Sequence, residues 1–304
     1  MATAPIAQPL NLTPGPWPDY QLLDAGNGEK LERFGPHTVR RPEPQAIWQP
    51  SLPAQEWARL AQATFSREKG SQEKGTWSFP PTQPDRWWVA YPLTGGQAVL
   101  KLKVSLSSFK HVGIFPEQAP NWDFIYQQCL RLGQPQVLNL FAYTGGATLA
   151  ARAGGAQVAH VEAMKPTLSW ANENAQGSGL DGIRWMADDA LAFARREARR
   201  GKTYQGIILD PPAYGRGPNG EKWLLEEGIQ PLLEACAALL DPVAGFVVLN
   251  LYSLGYSPLI ARNLALTQLA PKLPPTLQEA CGELCVGSGA VCTLPLGTYW
   301  QAAW

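Results

Sequence analysis

The ten residues from Val137 to Gly146 read VLNLFAYTGG, an apolar run that ends in two glycines. An apolar run of this length bounded by a turn signal predicts a buried β-strand, here 137–141. Glycines directly after a strand let the backbone approach a ligand and expose the amide groups of the next helix. An ordinary strand-to-helix turn is the alternative interpretation. The stretch therefore predicts a strand, a turn and a helix, with a candidate ligand site at the turn.

The same rhythm continues toward the C-terminus. From about Gln134, apolar strands, glycine-bearing turns and amphipathic helices alternate, which is typical of a parallel sheet with helices on its faces. Two strand-like stretches, 279–286 and 290–299, follow a helix near 258–269 and predict a terminal hairpin. The predicted fold is α/β, a Rossmann-like doubly wound and mostly parallel sheet ending in an antiparallel hairpin. Its first five strands are 137–141, 157–161, 183–186, 206–209 and 245–250, with helices that include 166–176 and 190–200.

The first third of the chain has a different pattern. It is rich in proline and glycine, and its short β-like pieces are separated by turn signals, which predicts a smaller β-rich domain. We therefore expect two domains, an N-terminal β-rich domain at 1–111 that contributes to substrate binding and an α/β domain at 112–304. The strand candidates of the first domain are 20–23, 37–40, 87–90 and 98–104.

The charge balance limits the kind of partner. The 25 basic and 25 acidic residues cancel, so a nucleic acid would have to meet a local basic patch. The run at 195–202 is one candidate, although cations at a helix end also favour the helix dipole. A second candidate patch consists of Lys101, Lys103, Lys110 and His111.

Targeting and cysteine patterns favour the cytoplasm. No apolar run approaches the roughly 20 residues needed to cross a bilayer, and the first 20 residues lack a charged segment followed by an apolar one. The five cysteines are an odd number and widely spread, which predicts reduced thiols. Cys281, Cys285 and Cys292 have ligand-like spacing without a nearby histidine, and we expect small buried hydrophobes there and no metal.

Acidic residues follow the second and third predicted strands. Ligands of open α/β sheets bind beyond the carboxyl ends of the strands. Glu162 stands where nucleoside-binding folds place a carboxylate for ribose hydroxyls, and Asp188 or Asp189 could accept an adenine amino group. The alternatives are a helix-dipole role for the first and a helix cap for the others. Together these residues predict a pocket for an adenosine-bearing cofactor, and a nicotinamide dinucleotide is disfavoured because G-x-G-x-x-G is absent.

The fourth strand runs into Leu209–Tyr214, LDPPAY. Because Pro211 and Pro212 carry no amide hydrogen, this turn presents carbonyl oxygens beside the Asp210 carboxylate. Such a turn suits a substrate that donates hydrogen bonds, such as an amino group on a planar base, and Tyr214 could stack on that base. A proline-rich helix start with Tyr214 in the core is the alternative.

With VLNLFAYTGG, Glu162, the Asp-Asp-Ala at 188–190 and DPPAY in place, the chain resembles class I S-adenosylmethionine-dependent methyltransferases. More narrowly, it is similar to the branch that includes bacterial large-subunit ribosomal RNA methyltransferases, in which NLFAYTGG and DPP followed by an aromatic recur at this separation. The resemblance extends from about Val112 to the C-terminus. It implies S-adenosylmethionine as cofactor and is less specific for the substrate.

The resemblance also implies a set of cofactor contacts. In that branch a segment before the sheet folds over the cofactor, which implicates Phe115, Glu117 and Gln118. Asp189 is preferred as the adenine-side acid and Asp188 is second. The full set is Phe115, Glu117, Gln118, Asn139, Phe141, Thr144, Gly145, Glu162, Ala163, Asp188, Asp189 and Asp210, and the expected catalytic residues are Asp210, Pro211 and Tyr214.

The sequence also indicates which kind of atom accepts the methyl group. Relatives that methylate carbon 5 of cytosine need a cysteine nucleophile, but LDPPAY has none and Ser253 stands where a thiol would follow the fifth strand. We therefore expect transfer to a base nitrogen in ribosomal or other RNA. A methyltransferase for a small molecule or protein, and a non-catalytic binding module that kept the fold, remain alternatives.

Overall fold

The computed structural model describes residues 9–71, 73–252, 255–287 and 292–304. The chain divides into two compact units. The N-terminal unit consists of Thr13–Ala119 with Cys285–Leu296, and the C-terminal unit contains Pro120–Leu284, Gly297–Trp304 and the short segment that ends at Leu12. No helix in the described part of the chain is long and apolar enough to cross a membrane.

The N-terminal unit contains a five-stranded sheet and a separate two-stranded hairpin. The four predicted strands are confirmed as β1, β3, β6 and β7, whereas three further strands and a short helix were not predicted. The elements are β1 (Tyr20–Gly26), β2 (Glu29–Phe34), β3 (His37–Pro42), α1 (Ala54–Leu60), β4 (Ala63–Arg67), β5 (Gly75–Ser78), β6 (Arg86–Pro92) and β7 (Val99–Ser105).

Charged side chains are buried inside the N-terminal unit. Arg41 donates to both carboxylate oxygens of Glu32 at 2.6 and 3.1 Å, and the Tyr20 hydroxyl donates to the same carboxylate at 2.9 Å. Glu32 is fully buried, so water does not solvate its charge. These donors supply the hydrogen bonds that water would give to an exposed carboxylate.

A mixed seven-stranded sheet follows, with strand order β10-β9-β8-β11-β14-β16-β15. Its strands β8, β9, β10, β11 and β14 are parallel, and β16 runs antiparallel to β14. The elements are a 3-10 helix at Pro116–Gln118, α2 (Ala119–Leu132), β8 (Gln136–Leu140), α3 (Gly146–Ala153), β9 (Gln157–Glu162), α4 (Lys165–Gly177), β10 (Arg184–Ala187), α5 (Ala190–Arg199), β11 (Gly206–Leu209), β12 (Tyr214–Arg216), β13 (Lys222–Leu224), α6 (Leu225–Ala237), β14 (Phe246–Tyr252), α7 (Pro258–Leu269), a 3-10 helix at Ala270–Lys272, β15 (Gln278–Gly287) and β16 (Thr293–Ala303).

The predicted α/β fold is confirmed, because the five parallel strands lie within two residues of their predicted bounds. Their nearly continuous apolar sequences follow from burial on both faces, as every residue of β11 is buried. Of the turn expected at 287–289 between the two last strands, residues 288 and 289 lie outside the described residues.

The register aligns the carboxyl ends of the parallel strands at one edge of the sheet. The residue pairs at this edge are Ala187 with Glu162, Val161 with Leu140, Leu140 with Leu209, and Leu209 with Leu249. The loops after these strands therefore start side by side, where open α/β sheets bind their ligands.

Candidate active site

The turn after β8 holds an unusual backbone. Phe141, Tyr143 and Gly145 all have positive φ angles, of 56°, 48° and 94°. Glycine adopts this conformation freely, but an aromatic residue there costs on the order of 1–3 kcal/mol. Strain of this kind persists only where surrounding contacts enforce it, and it concentrates at functional sites. The observed strain supports the prediction that this turn binds a ligand.

Glu162 enforces part of that conformation. One carboxylate oxygen accepts the backbone N–H of Tyr143 at 3.1 Å, and the other accepts the N–H of Met164 at 2.9 Å. Burial raises the pKa of Glu162, and these backbone donors oppose the increase. The carboxylate thus joins the loops after β8 and β9, so Glu162 and the glycine turn belong to one site.

A buried polar network lies in the sheet beneath the turn. The Asn139 amide donates to the Thr148 hydroxyl at 2.8 Å, and that hydroxyl lies 2.9 Å from Nδ1 of His160. Burial lowers the pKa of His160 to about 3, so its ring is neutral. The Thr148 hydroxyl can then accept from Asn139 and donate to His160. Asn139 supports the turn from within the sheet, and its contact with a cofactor stays a prediction.

The helix after the turn packs closely on α2. A Cβ atom at Gly146 would lie 2.6 Å from Cζ2 of the buried Trp122 ring. Replacing Gly146 with alanine is expected to lower the free energy of unfolding by about 1–3 kcal/mol, because overpacking forces the ring and backbone apart. Urea unfolding monitored by circular dichroism measures the change. Gly287→Ala is the control, since a Cβ there meets no atom of the described residues within 4 Å. Equal stability of both variants would show that Trp122 shifts freely.

The two acids after β10 have structural roles of their own. Asp189 caps α5 by accepting the Ala192 N–H at 2.8 Å, and Asp188 pairs with Arg196 and accepts the Asp189 N–H. The cap interpretation is therefore confirmed for Asp189. Its second carboxylate oxygen has no role in the cap, so the preference for Asp189 on the adenine side stays a prediction.

Asp210 follows β11 and faces the end of β14. The Asn250 side-chain amide donates to its carboxylate at 2.5 Å. Burial raises the pKa of Asp210 to about 6, and the Asn250 amide opposes that increase by favouring the charged form. The pKa of Asp210 therefore lies above that of an exposed aspartate.

The double proline makes a turn with one available carbonyl. The Pro212 carbonyl accepts the Trp223 indole N–H at 2.7 Å. Within the described part of the chain, no hydrogen bond engages the Pro211 carbonyl. Tyr214 is 53% exposed and lies in β12. The alternative of a helix start with Tyr214 in the core is therefore wrong, because the chain forms a β-hairpin and α6 begins only at Leu225.

The turn after β8, which contains Gly145, lies next to the turn formed by Pro211 and Pro212. The rings of Phe141 and Trp223 lie 4.8 Å apart, and the Asp210 N–H points to the Leu140 carbonyl at 3.5 Å. Trp223 thereby connects the loop after β8 with the Pro212 carbonyl. The structure brings together Phe141, Gly145, Glu162, Asp210 and Pro211 along the edge formed by β9, β8 and β11.

The segment predicted to fold over a cofactor belongs to the N-terminal unit. Phe115 packs its ring 5.1 Å from that of His111, and Glu117 and Gln118 lie in the 3-10 helix. Glu117 is 3% exposed, and burial raises its pKa to about 7 although Lys30 and Arg41 act against it. Contacts of these three residues with a cofactor stay predictions.

Of the four residues of the second candidate basic patch, Lys101 is exposed and Lys103 and His111 are half-buried, whereas Lys110 is buried. Binding of a nucleic acid by this patch stays a prediction, and Lys110 is not part of an exposed basic surface. Lys110 is buried and its ammonium lies 2.9 Å from the Glu73 carboxylate, while Nε2 of His111 lies 2.7 Å from the same carboxylate. Glu73 therefore offsets the charge of Lys110, while burial lowers the pKa of His111 and so disfavours a positive charge on its ring. In the run at 195–202, Arg196 and Arg200 pair with Asp188 and Glu197 at the end of α5. Ser253 lies outside the described residues.

Two residues of the site were missed in the sequence. Asn250 ends the predicted fifth strand, and the same strand-end reasoning that identified Glu162 would have identified it. Trp223 gave no such signal, because its place depends on the β12–β13 hairpin and on the register that sets it against Pro212.

Comparison with known proteins decides the family. No family model matches the chain. A solved structure, the SAM-dependent methyltransferase from Agrobacterium tumefaciens, is 35% identical, covers 96% of this chain and 93% of its own, and superposes with a TM-score of 0.88. The chain belongs to the SAM-dependent methyltransferases. S-adenosylmethionine is its cofactor.

Curated relatives of this methyltransferase match over a shorter range. The ribosomal RNA large subunit methyltransferase K/L of Magnetococcus marinus is 30% identical over 148 residues, which cover 47% of this chain and 20% of that protein. The ribosomal RNA large subunit methyltransferase I of Aeromonas salmonicida is 29% identical over 118 residues, which cover 38% of this chain and 29% of that protein. The chain thus spans about a fifth to a third of the length of these relatives.

The donor and acceptor groups of the methyltransferase site fit S-adenosylmethionine. No side chain caps α3, so the amides of its first turn are open to the carboxylate of the methionine moiety. Glu162 would accept hydrogen bonds from ribose hydroxyls, and Gly145 supplies the left-handed backbone of the turn at φ 94°. These groups would hold S-adenosylmethionine at the edge where open α/β sheets bind their ligands.

Proposed function

We propose that the protein transfers a methyl group from S-adenosylmethionine to a nitrogen atom of a base in RNA, with ribosomal RNA as the substrate class. One observation carries this proposal: the Asp210 carboxylate and the available Pro211 carbonyl form a pair of acceptors directly beside the cofactor turn. A base amino group is a donor of matching chemistry.

S-adenosylmethionine supplies a methyl group that is already activated by its sulfonium. The protein then has to hold the acceptor nitrogen in line and relieve the positive charge that develops on it, and positioning supplies much of the acceleration. Asp210 and the Pro211 carbonyl accept the two hydrogens of the amino group, which turns its lone pair toward the methyl donor. The Asp210 carboxylate also stabilises the cationic nitrogen and can take its proton.

Asn250 helps to keep Asp210 in the ionised form that accepts hydrogen bonds and a proton from the amino group. Burial favours the neutral carboxyl group, whereas the Asn250 amide at 2.5 Å favours the carboxylate. Exposed Tyr214 stacks on the face of the base, a contact worth about 1–3 kcal/mol per base in nucleic-acid-binding proteins. The cofactor-binding roles proposed for Glu162 and Asp189 are to accept the ribose hydroxyls and the adenine amino group.

Two further facts support the proposal, the first for a nitrogen acceptor and the second for an RNA substrate. Methylation at carbon 5 of cytosine requires a thiolate nucleophile, and LDPPAY contains no cysteine. The Magnetococcus marinus and Aeromonas salmonicida relatives are ribosomal RNA large subunit methyltransferases.

The test is to incubate the purified chain with methyl-labelled S-adenosylmethionine and, in parallel, with ribosomal RNA, isolated ribosomal subunits and a protein extract. We expect label in the RNA fractions, and nucleoside mass spectrometry should place the methyl group on a base nitrogen. Asp210→Ala, with its cofactor affinity measured separately, is the control for contaminating enzymes. Label confined to protein or small molecules would overturn the RNA assignment, and cofactor binding without transfer to any fraction would favour a non-catalytic module.

A further inference from the structure

The β12–β13 hairpin directly after the double proline has two chemically different faces. Tyr214 pairs with Leu224, Gly215 with Trp223, and Arg216 with Lys222. Because side chains alternate along a strand, Trp223 lies on one face and Tyr214, Arg216 and Lys222 lie on the other. The Trp223 face is buried against Phe141 and Pro212. The opposite face is exposed at Tyr214, Arg216 and Lys222.

The exposed face places two like charges directly opposite each other. Arg216 and Lys222 are cross-strand partners, an arrangement that destabilises an antiparallel pair. Neither side chain forms an ion pair or hydrogen bond among the described residues. The acid nearest in sequence, Glu221, accepts the backbone N–H and the side-chain amide of Asn219, both at 2.9 Å. The hairpin therefore carries a cationic pair that forms no ion pair with a carboxylate among the described residues.

The anchoring of this hairpin fixes the pair relative to the site. Trp223 holds β13 to the Pro212 carbonyl at 2.7 Å, and Leu225 at the start of α6 is bonded to the Ala213 carbonyl at 3.0 Å. Arg216 lies two residues beyond Tyr214 on the same face. If the target base of an RNA strand stacks on Tyr214, the sugar-phosphate backbone of that RNA passes close to Arg216 and Lys222.

We propose that Arg216 and Lys222 bind phosphate groups of the substrate RNA next to the methylated base. This inference rests on the proposed RNA methyltransferase function and names the part of the protein that holds the strand. Charge complementarity selects this occupant, since a phosphodiester between the two cations relieves their repulsion and releases counterions. With a formal net charge of +0, the chain has no long-range field to do this instead.

The test compares two double variants with the same loss of charge. Arg216→Ala with Lys222→Ala is expected to weaken binding of a short single-stranded RNA roughly tenfold and to reduce the slope of log affinity against log salt by about 0.7 to 1.4, because each contact on single-stranded nucleic acid contributes about 0.7. Arg195→Ala with Arg199→Ala removes two exposed charges of α5 and should change neither quantity. Fluorescence anisotropy from about 50 to 200 mM salt measures both.

The outcomes separate this inference from the proposed function. Arg216→Lys with Lys222→Arg should restore binding, and unchanged thermal unfolding of every variant excludes misfolding as the cause. Equal slopes for the wild type and the hairpin variant would overturn the phosphate role even if the wild type methylates RNA. RNA binding that depends on the hairpin but leads to no transfer would instead overturn the proposed reaction. Stronger dependence on the α5 pair would move the RNA path to that helix.

Discussion

Replacing Asp210 with alanine is expected to lower the rate constant of methyl transfer roughly 10- to 100-fold, the equivalent of one hydrogen bond to a charged group. The loss should appear mainly in kcat, because the carboxylate interacts most strongly with the amine as it becomes cationic. Single-turnover assays at saturating S-adenosylmethionine measure it. Calorimetry on the same variant shows whether the cofactor still binds, which separates a role in transfer from one in cofactor binding.

The pH profile should identify the group responsible. Burial raises the pKa of Asp210 to about 6, so transfer is expected to fall as the pH drops through 6 and the carboxylate becomes protonated. The effect on stability has the opposite sign. Because the pKa of this carboxyl group is higher in the folded than in the unfolded protein, its contribution to the free energy of unfolding increases as the pH falls from the folded pKa toward the unfolded pKa. A loss of activity near pH 6 without unfolding would therefore distinguish titration of Asp210 from acid denaturation.

Two variants make the pH argument specific. Asp210→Asn keeps an acceptor oxygen but cannot titrate. The residual activity of this variant should therefore lack the acid limb, that is, the fall in activity near pH 6. Asn250→Ala removes the amide that favours the carboxylate, so the limb should move to higher pH. If the wild-type limb persisted unchanged in both variants, another group would be the one titrating.

The sequence predicted the sheet well because each parallel strand is buried on both faces. A strand such as β11, all four residues of which are buried, must be apolar throughout, and the residue that follows it must then face the ligand edge. That reasoning predicted that Glu162 and Asp210 lie at the carboxyl ends of β9 and β11, and the structure confirms these positions.

What the sequence did not reveal depends on pairing between distant residues. Lys110 was taken for a surface cation because nothing in the sequence connects it to Glu73, and the close approach of the two appears only in the folded N-terminal unit. The hairpin after the double proline was missed for the same reason, since Trp223 becomes part of the site only through its bond to Pro212 and its contact with Phe141.

Replacing Glu162 with alanine is expected to weaken S-adenosylmethionine binding roughly 10- to 100-fold, the range for a hydrogen bond to a charged group. Two physical effects contribute. The variant loses the acceptor proposed for the ribose hydroxyls, and it also releases the N–H of Tyr143, whose φ of 48° is unfavourable without that bond. Calorimetric titration with S-adenosylhomocysteine, which avoids turnover, measures the affinity.

A cofactor analogue without ribose hydroxyls separates the two effects. The wild type should bind this analogue more weakly than S-adenosylhomocysteine. The Glu162→Ala variant should bind both ligands equally if the carboxylate contacts the ribose, because the interaction is then already lost. If the analogue lost the same factor of affinity in both proteins, Glu162 would not contact the ribose. It would then act only by holding Tyr143 in its left-handed conformation, which in turn positions the glycine turn that binds the cofactor.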